Sequence, residues 1–195
     1  MRRETFARRM AALERMGFPV ISLDEAVDKL KANQIENAET VITLDDGWAS
    51  NLSIAQPILK AHGFPATVYV TTEHLANSTE VFNTVLWYLF LTSVRNSVRI
   101  AGIHPEIDGT YSVKPDPFPA VDTIVRAAAT HLSLSTRQES LGKIAAAFGL
   151  DIATVLEGDR LRLLTAEQMR ELAQHGVAIE LHTHTHELST ESFEA

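Results

Sequence analysis

Val41-Ile42-Thr43-Leu44-Asp45-Asp46-Gly47-Trp48 is the stretch on which the fold turns. Its first four residues are β-branched or apolar, the composition of a buried strand. The strand runs straight into two carboxylates and a glycine. A helical pattern follows from about Asn51 to His62 and closes on Gly63, and Ala66 to Thr71 reads as a second strand. Residues 41–71 are therefore predicted to form a strand–helix–strand unit, the building block of parallel sheets. In such sheets the functional loops gather at the C-terminal ends of the strands, and Asp45 and Asp46 stand at one of them.

Upstream, Phe6, Met10, Leu13 and Met16 recur at helical spacing over 4–16, with Gly17 as the stop. Phe18 to Ser22 reads as a short strand. Ser22-Leu23-Asp24-Glu25 is a capping box for a helix reaching about Ala32. Downstream, residues 76–160 read as a mostly helical insertion or lid within a single domain. They comprise a helix from Val81 to Val94, a loop over 104–119 with five prolines or glycines, and helices near 120–131 and 137–148, the last capped by Ser135 or Thr136. The alternation then resumes. Thr165-Ala166-Glu167-Gln168 is a capping box, its helix runs to His175, and Val177 to Leu181 is a strand of buried character. That strand delivers His182-Thr183-His184-Thr185-His186.

With 195 residues, 45% of them hydrophobic, the chain is long enough to bury a core. A formal net charge of −8 and a pI near 5.4 argue against a nucleic-acid backbone as the partner. The absence of cysteine excludes disulfides, thiolate metal sites and thiol nucleophiles. No apolar segment follows Arg2 and Arg3 as a signal peptide requires, so the default expectation is cytoplasmic. No apolar run has the length to span a bilayer; the longest, Val85 to Leu91, reads as a buried helix segment. Oligomeric state leaves no mark on the sequence.

Two clusters carry the chemistry. In Asp45-Asp46-Gly47 one carboxylate can bind a cation while its neighbour takes a proton, with Gly47 turning the backbone beneath them. Asp and Gly are equally the residues of an ordinary turn or helix cap. Three of the eight histidines fall within 182–186, and neutral imidazole suits zinc and similar metals. The competing reading is a polar surface loop. Together, one carboxylate and two imidazoles would make a three-ligand site with open positions, the pattern of catalytic metal centres.

Thr43-Leu44-Asp45-Asp46-Gly47-Trp48 resembles the first motif of the polysaccharide deacetylases, the NodB-homology domain of carbohydrate esterase family 4, with Leu44 in place of the usual phenylalanine. His182-Thr183-His184-Thr185-His186 resembles the second motif, His-Ser/Thr-x-x-His. Flanking stretches agree in order, so the resemblance covers about 4–75 and 160–190. It implies a distorted (β/α) barrel, here a partial one, and hydrolysis of an acetyl group from an acetylated poly- or oligosaccharide. By the same resemblance Asp45 would be the general base, and Asp46, His182 and His186 the ligands of a divalent metal. That metal is usually zinc; three such ligands also accept cobalt or manganese. Thr183 would brace the loop, and Trp48 would stack on a sugar or join the core.

The family's later motifs, including the histidine that serves as general acid, should follow His186, and a first barrel strand should precede Met1. None is in this sequence, which predicts a fragment with an open barrel, carrying the metal and base half of the site. Two alternatives stand beside this reading. His182-Thr183-His184 also resembles the His-x-His signature of PHP-type phosphoesterases, with His182 and His184 as ligands. A catalytically incomplete chain would bind metal or glycan without turnover.

Overall fold

The computed structural model describes residues 2–35, 38–73 and 80–184. The fold is mixed α/β and divides into two compact units: Met1–Ser78 with Arg162–Ala195, and Thr79–Leu161.

The first unit holds α1 (Arg3–Arg15), α2 (Leu23–Lys31), β1 (Thr43–Leu44), a π-helical turn (Asn51–Ala55) running into α3 (Gln56–His62), and β2 (Ala66–Val70). Its sheet is parallel, and its third strand comes from the far end of the chain. There α8 (Ala166–Gln174) precedes β5 (Val177–Leu181), and the strand order is β1-β2-β5. Thr43 pairs with Thr67, and Ala66 through Val70 pair in register with Val177 through Leu181. All three strands therefore end at one edge. Phe6 and Met10 of α1 pack with Ile42, Ala55, Ile58, Leu59 and Ala66, while Val68, Val70, Leu164, Leu172 and Val177 form a second cluster. The partial, open barrel expected from the resemblance is not shown by the described residues, whose parallel sheet is small, with three strands.

Several local readings hold and several are corrected. Thr165 and Gln168 close a reciprocal capping box at the start of α8, and Ser22 Oγ accepts the Glu25 N–H at 3.1 Å. Residues 18–22 contribute only a bridge between Val20 and Thr40, because Pro19 has no N–H to donate to a ladder. The helix expected over 51–62 begins as a wider turn. Pro57 cannot donate back to the carbonyl four residues earlier and its ring crowds that position, so the turn before it opens. β5 is not a buried strand: only Val177 is buried and Leu181 is 72% exposed.

The second unit holds α4 (Phe82–Thr92), an antiparallel hairpin of β3 (Ser97–Ile100) and β4 (Gly109–Ser112), α5 (Phe118–His131), α6 (Leu134–Ala147) and the short α7 (Ile152–Val155). Leu86, Leu89 and Phe90 of α4 pack with Ile100, Ile107, Ile124, Leu141 and Ile144 in one core. Ser133, rather than Ser135 or Thr136, caps α6 by accepting the Thr136 N–H at 3.2 Å. No helix among the described residues is long and apolar enough to cross a membrane.

β4 lies inside the expected loop 104–119, and one side chain explains why. The Asp108 carboxylate accepts the N–H groups of Gly102, Ile103 and His104 at 2.7, 2.9 and 3.2 Å, folding the connection so that β4 returns along β3. The N–H of Ile103 first, then that of Gly102, holds the Asp108 carboxyl below the usual carboxylate range. The folded turn binds the charged form. Its contribution is thus complete above the unfolded carboxylate value of about 3.9 and is lost as pH falls through the lower folded value. Asp108→Ala is expected to lower the thermal midpoint at neutral pH and to lessen its fall on acidification through that range. An identical acid response in variant and wild type would show that Asp108 is not the linked group.

Candidate functional site

The sheet edge where β1, β2 and β5 end collects the candidate residues. Asp45 follows β1 directly and is exposed. Asp46 and Gly47 then turn the chain with consecutive positive φ angles of 68° and 75°. Aspartate tolerates this left-handed backbone better than most residues, because its short side chain bonds locally. Glycine is needed at the next position on two counts. Its φ is left-handed, and a Cβ there would sit 2.9 Å from Val70 Cγ1 of β2. The close approach of the turn to β2 is what brings Asp46 over the sheet edge.

A second segment secures the turn. Leu164 N–H donates to Gly47 O at 2.7 Å, Ala49 N–H donates to Arg162 O at 2.9 Å, and Trp48 bridges antiparallel to Leu163. The Trp48 indole N–H donates to Asp46 Oδ2 at 3.2 Å. The sequence reading of Trp48, as a sugar platform or a core residue, did not include this bond to Asp46.

From β5, His182 N–H donates to Val70 O at 2.8 Å, which continues the ladder one residue beyond the strand. The His182 ring meets the edge of Tyr69 at 6.3 Å between centroids. Its Nε2 lies 3.7 Å from Asp46 Oδ1, with about a third of each side chain exposed. Thr183 has a positive φ of 62°, seldom adopted by a β-branched residue. Its carbonyl accepts the Thr72 N–H at 3.4 Å. A hydrogen bond of 2.8 Å joins His184 Nδ1 to the Thr72 hydroxyl. His186 lies outside the described residues.

The structure thus brings together Asp46, Gly47, Trp48, His182 and Thr183, with Asp45 at the head of the same turn. Donors that share a metal at bond lengths near 2.0–2.1 Å in tetrahedral geometry stand about 3.3 Å apart. The 3.7 Å between Asp46 Oδ1 and His182 Nε2 is close to that spacing, and an oxygen–nitrogen pair suits zinc, cobalt or manganese. Among the described residues no group of three or more metal-ligating side chains is assembled.

Sequence reasoning passed over Thr72 and Glu73. Both follow β2, the strand lying between the two that carry the motifs, and Glu73 is buried with its N–H donated to His184 O at 3.0 Å. The signal was positional: any loop leaving the C-terminal edge of a parallel sheet lies where sites gather.

No family model matches this chain, and no curated protein matches it. Among solved structures it is similar to the deacetylase domain of BpsB from Bordetella bronchiseptica, at 18% identity and a TM-score of 0.41. The similarity covers 90% of this chain and 42% of that one, so the chain spans less than half the length of the structure it resembles.

Proposed function

We propose that the chain carries out metal-dependent hydrolytic deacetylation of an N- or O-acetylated carbohydrate. The observation that carries this reading is the meeting of Asp46 with His182, 3.7 Å apart at the C-terminal edge of the parallel sheet, although they lie far apart in sequence. In this reading Asp46 and His182 hold a divalent metal, zinc by preference, with His186 as the third ligand. The bound metal would supply positive charge to polarise the acetyl carbonyl and stabilise the charge that develops on its oxygen.

The chain's own residues do the rest. Asp45, exposed at the head of the turn, accepts the proton of the water that attacks the acetyl carbon. The new carbon–oxygen bond forms as the carbonyl π pair moves onto its oxygen. The carbonyl then re-forms as the bond to the sugar nitrogen or oxygen breaks, and the proton taken from the water passes to that departing atom, giving acetate and a free amine or hydroxyl. Trp48 keeps Asp46 turned toward His182 while the Asp45 carboxylate next to it is left for the proton. The division of labour follows from the backbone, since successive residues at a left-handed turn face different ways.

An activated aryl acetate tests the attacking half of this chemistry, because its leaving group departs without an acid. With zinc present, the wild-type chain is expected to release acetate at least a hundredfold faster than Asp45→Asn, within the range for loss of a general base. Zinc affinity should be equal in the two. Equal rates would remove Asp45 as the base. Acetylated oligosaccharides would then define the carbohydrate substrate.

A further inference from the structure

We propose that Thr72 is a positioning residue that fixes the seat of His182 beside Asp46; its consequence for metal affinity rests on the deacetylase reading above. Beyond Val70 and Leu181 the two segments stay side by side, Thr72 and Glu73 in a helical turn and His182 to His184 as loop. They are laced by His182 N–H to Val70 O at 2.8 Å, Thr72 N–H to Thr183 O at 3.4 Å and Glu73 N–H to His184 O at 3.0 Å. Thr183, in the middle of this lacing, has a left-handed φ of 62°. A β-branched residue persists in that conformation only where its surroundings hold it.

The backbone bonds are open to any residue at 72. The bond of 2.8 Å from the Thr72 hydroxyl to His184 Nδ1 depends on its side chain, and it fastens the loop two residues beyond His182. Threonine suits this task because its branched Cβ restricts χ1, so the hydroxyl is held ready at little entropic cost. With His184 tied at its ring and its carbonyl, the loop cannot pivot about Thr183. His182 Nε2 then stays 3.7 Å from Asp46 Oδ1, with its ring against Tyr69.

The test uses the full chain, with Thr72→Val, which keeps the shape and removes the hydroxyl, and Thr72→Ser, which restores it. In metal-free protein at one fixed pH, the ring nitrogens of both His182 and His184 are expected to change their NMR signals in Thr72→Val and to return in Thr72→Ser. Unchanged backbone amides of Val68 and Ile179 show that the sheet is intact. Zinc affinity by calorimetry should fall roughly three- to tenfold in Thr72→Val, the scale of one net hydrogen bond, and recover in Thr72→Ser. His182 signals unmoved in Thr72→Val would overturn the positioning role. Absence of zinc binding by the wild type would sink the metal reading instead, while the ring signals still decide the role of Thr72.

Discussion

Asp46→Ala is expected to weaken zinc binding on the order of a hundredfold or more, and His186→Ala likewise, whereas His184→Ala costs no more than about tenfold. Partners outside the ligand shell of a metal typically contribute ten- to a hundredfold in affinity, so a lost ligand must exceed that range. His184 falls on the other side of the line. Its Nδ1 is engaged by Thr72 at 2.8 Å, and its loss loosens a loop without removing a donor from the site. The phosphoesterase alternative makes the opposite forecast, because there His182 and His184 ligate and His186 does not. Calorimetry on the three variants separates the two. Thermal unfolding of each variant without metal is the necessary companion, since metal affinity and folding are linked. Binding that survives Asp46→Ala undiminished would remove the carboxylate from the site and the proposed chemistry with it.

Gly47→Ala is expected to destabilise the first unit by about 2–5 kcal/mol. Two terms add. A left-handed φ costs an L-residue roughly 1–2 kcal/mol, and φ at Gly47 is 75°. The new Cβ would also stand 2.9 Å from Val70 Cγ1, a methyl buried on the central strand of the sheet. Overpacking of that kind costs roughly 1–3 kcal/mol. For a chain of this length each kcal/mol moves the thermal midpoint by about 2–4 °C. A fall of roughly 4–20 °C is therefore the expected reading in circular dichroism. Val70→Ala separates the terms. If the clash is real, the double variant is more stable than the sum of the single losses predicts, with a coupling of about 0.5–3 kcal/mol. A Gly47→Ala chain that melts with the wild type would show that the turn does not press on β2.

Periodicity and punctuation are local signals, and where structure is local they were readable. Val177 to Leu181 forms β5 at the bounds expected, between a glycine stop and a histidine run, and the capping box at Thr165 and Gln168 closes as written. The strand–helix–strand order over 41–71 and the arrival of both motifs at strand ends followed from the same signals. The hairpin within 97–112 was hidden because Gly102, Pro105 and Gly109 read as loop. Its return strand depends on one aspartate collecting three N–H groups, a side-chain event that leaves no periodicity. The exposure of Leu181 was hidden too, because apolar composition reports what a residue would gain by burial and not which neighbour reaches it.

By itself the sequence determined which residues could do the chemistry and that they would leave the same kind of place, the C-terminal end of a parallel strand. Residue types and strand–helix spacing are enough for that. Tertiary structure alone decided which of them meet. The order β1-β2-β5 brings Asp46 to His182, the antiparallel run of Arg162 to Leu164 clamps the turn that bears Asp46, and the segment after β2 contributes Thr72 between the two motifs. Strand order and the pairing of distant loops are set by which apolar faces bury one another and which N–H groups find carbonyls across the sheet. Those choices are settled by all the segments at once, so no single stretch of the chain spells them out.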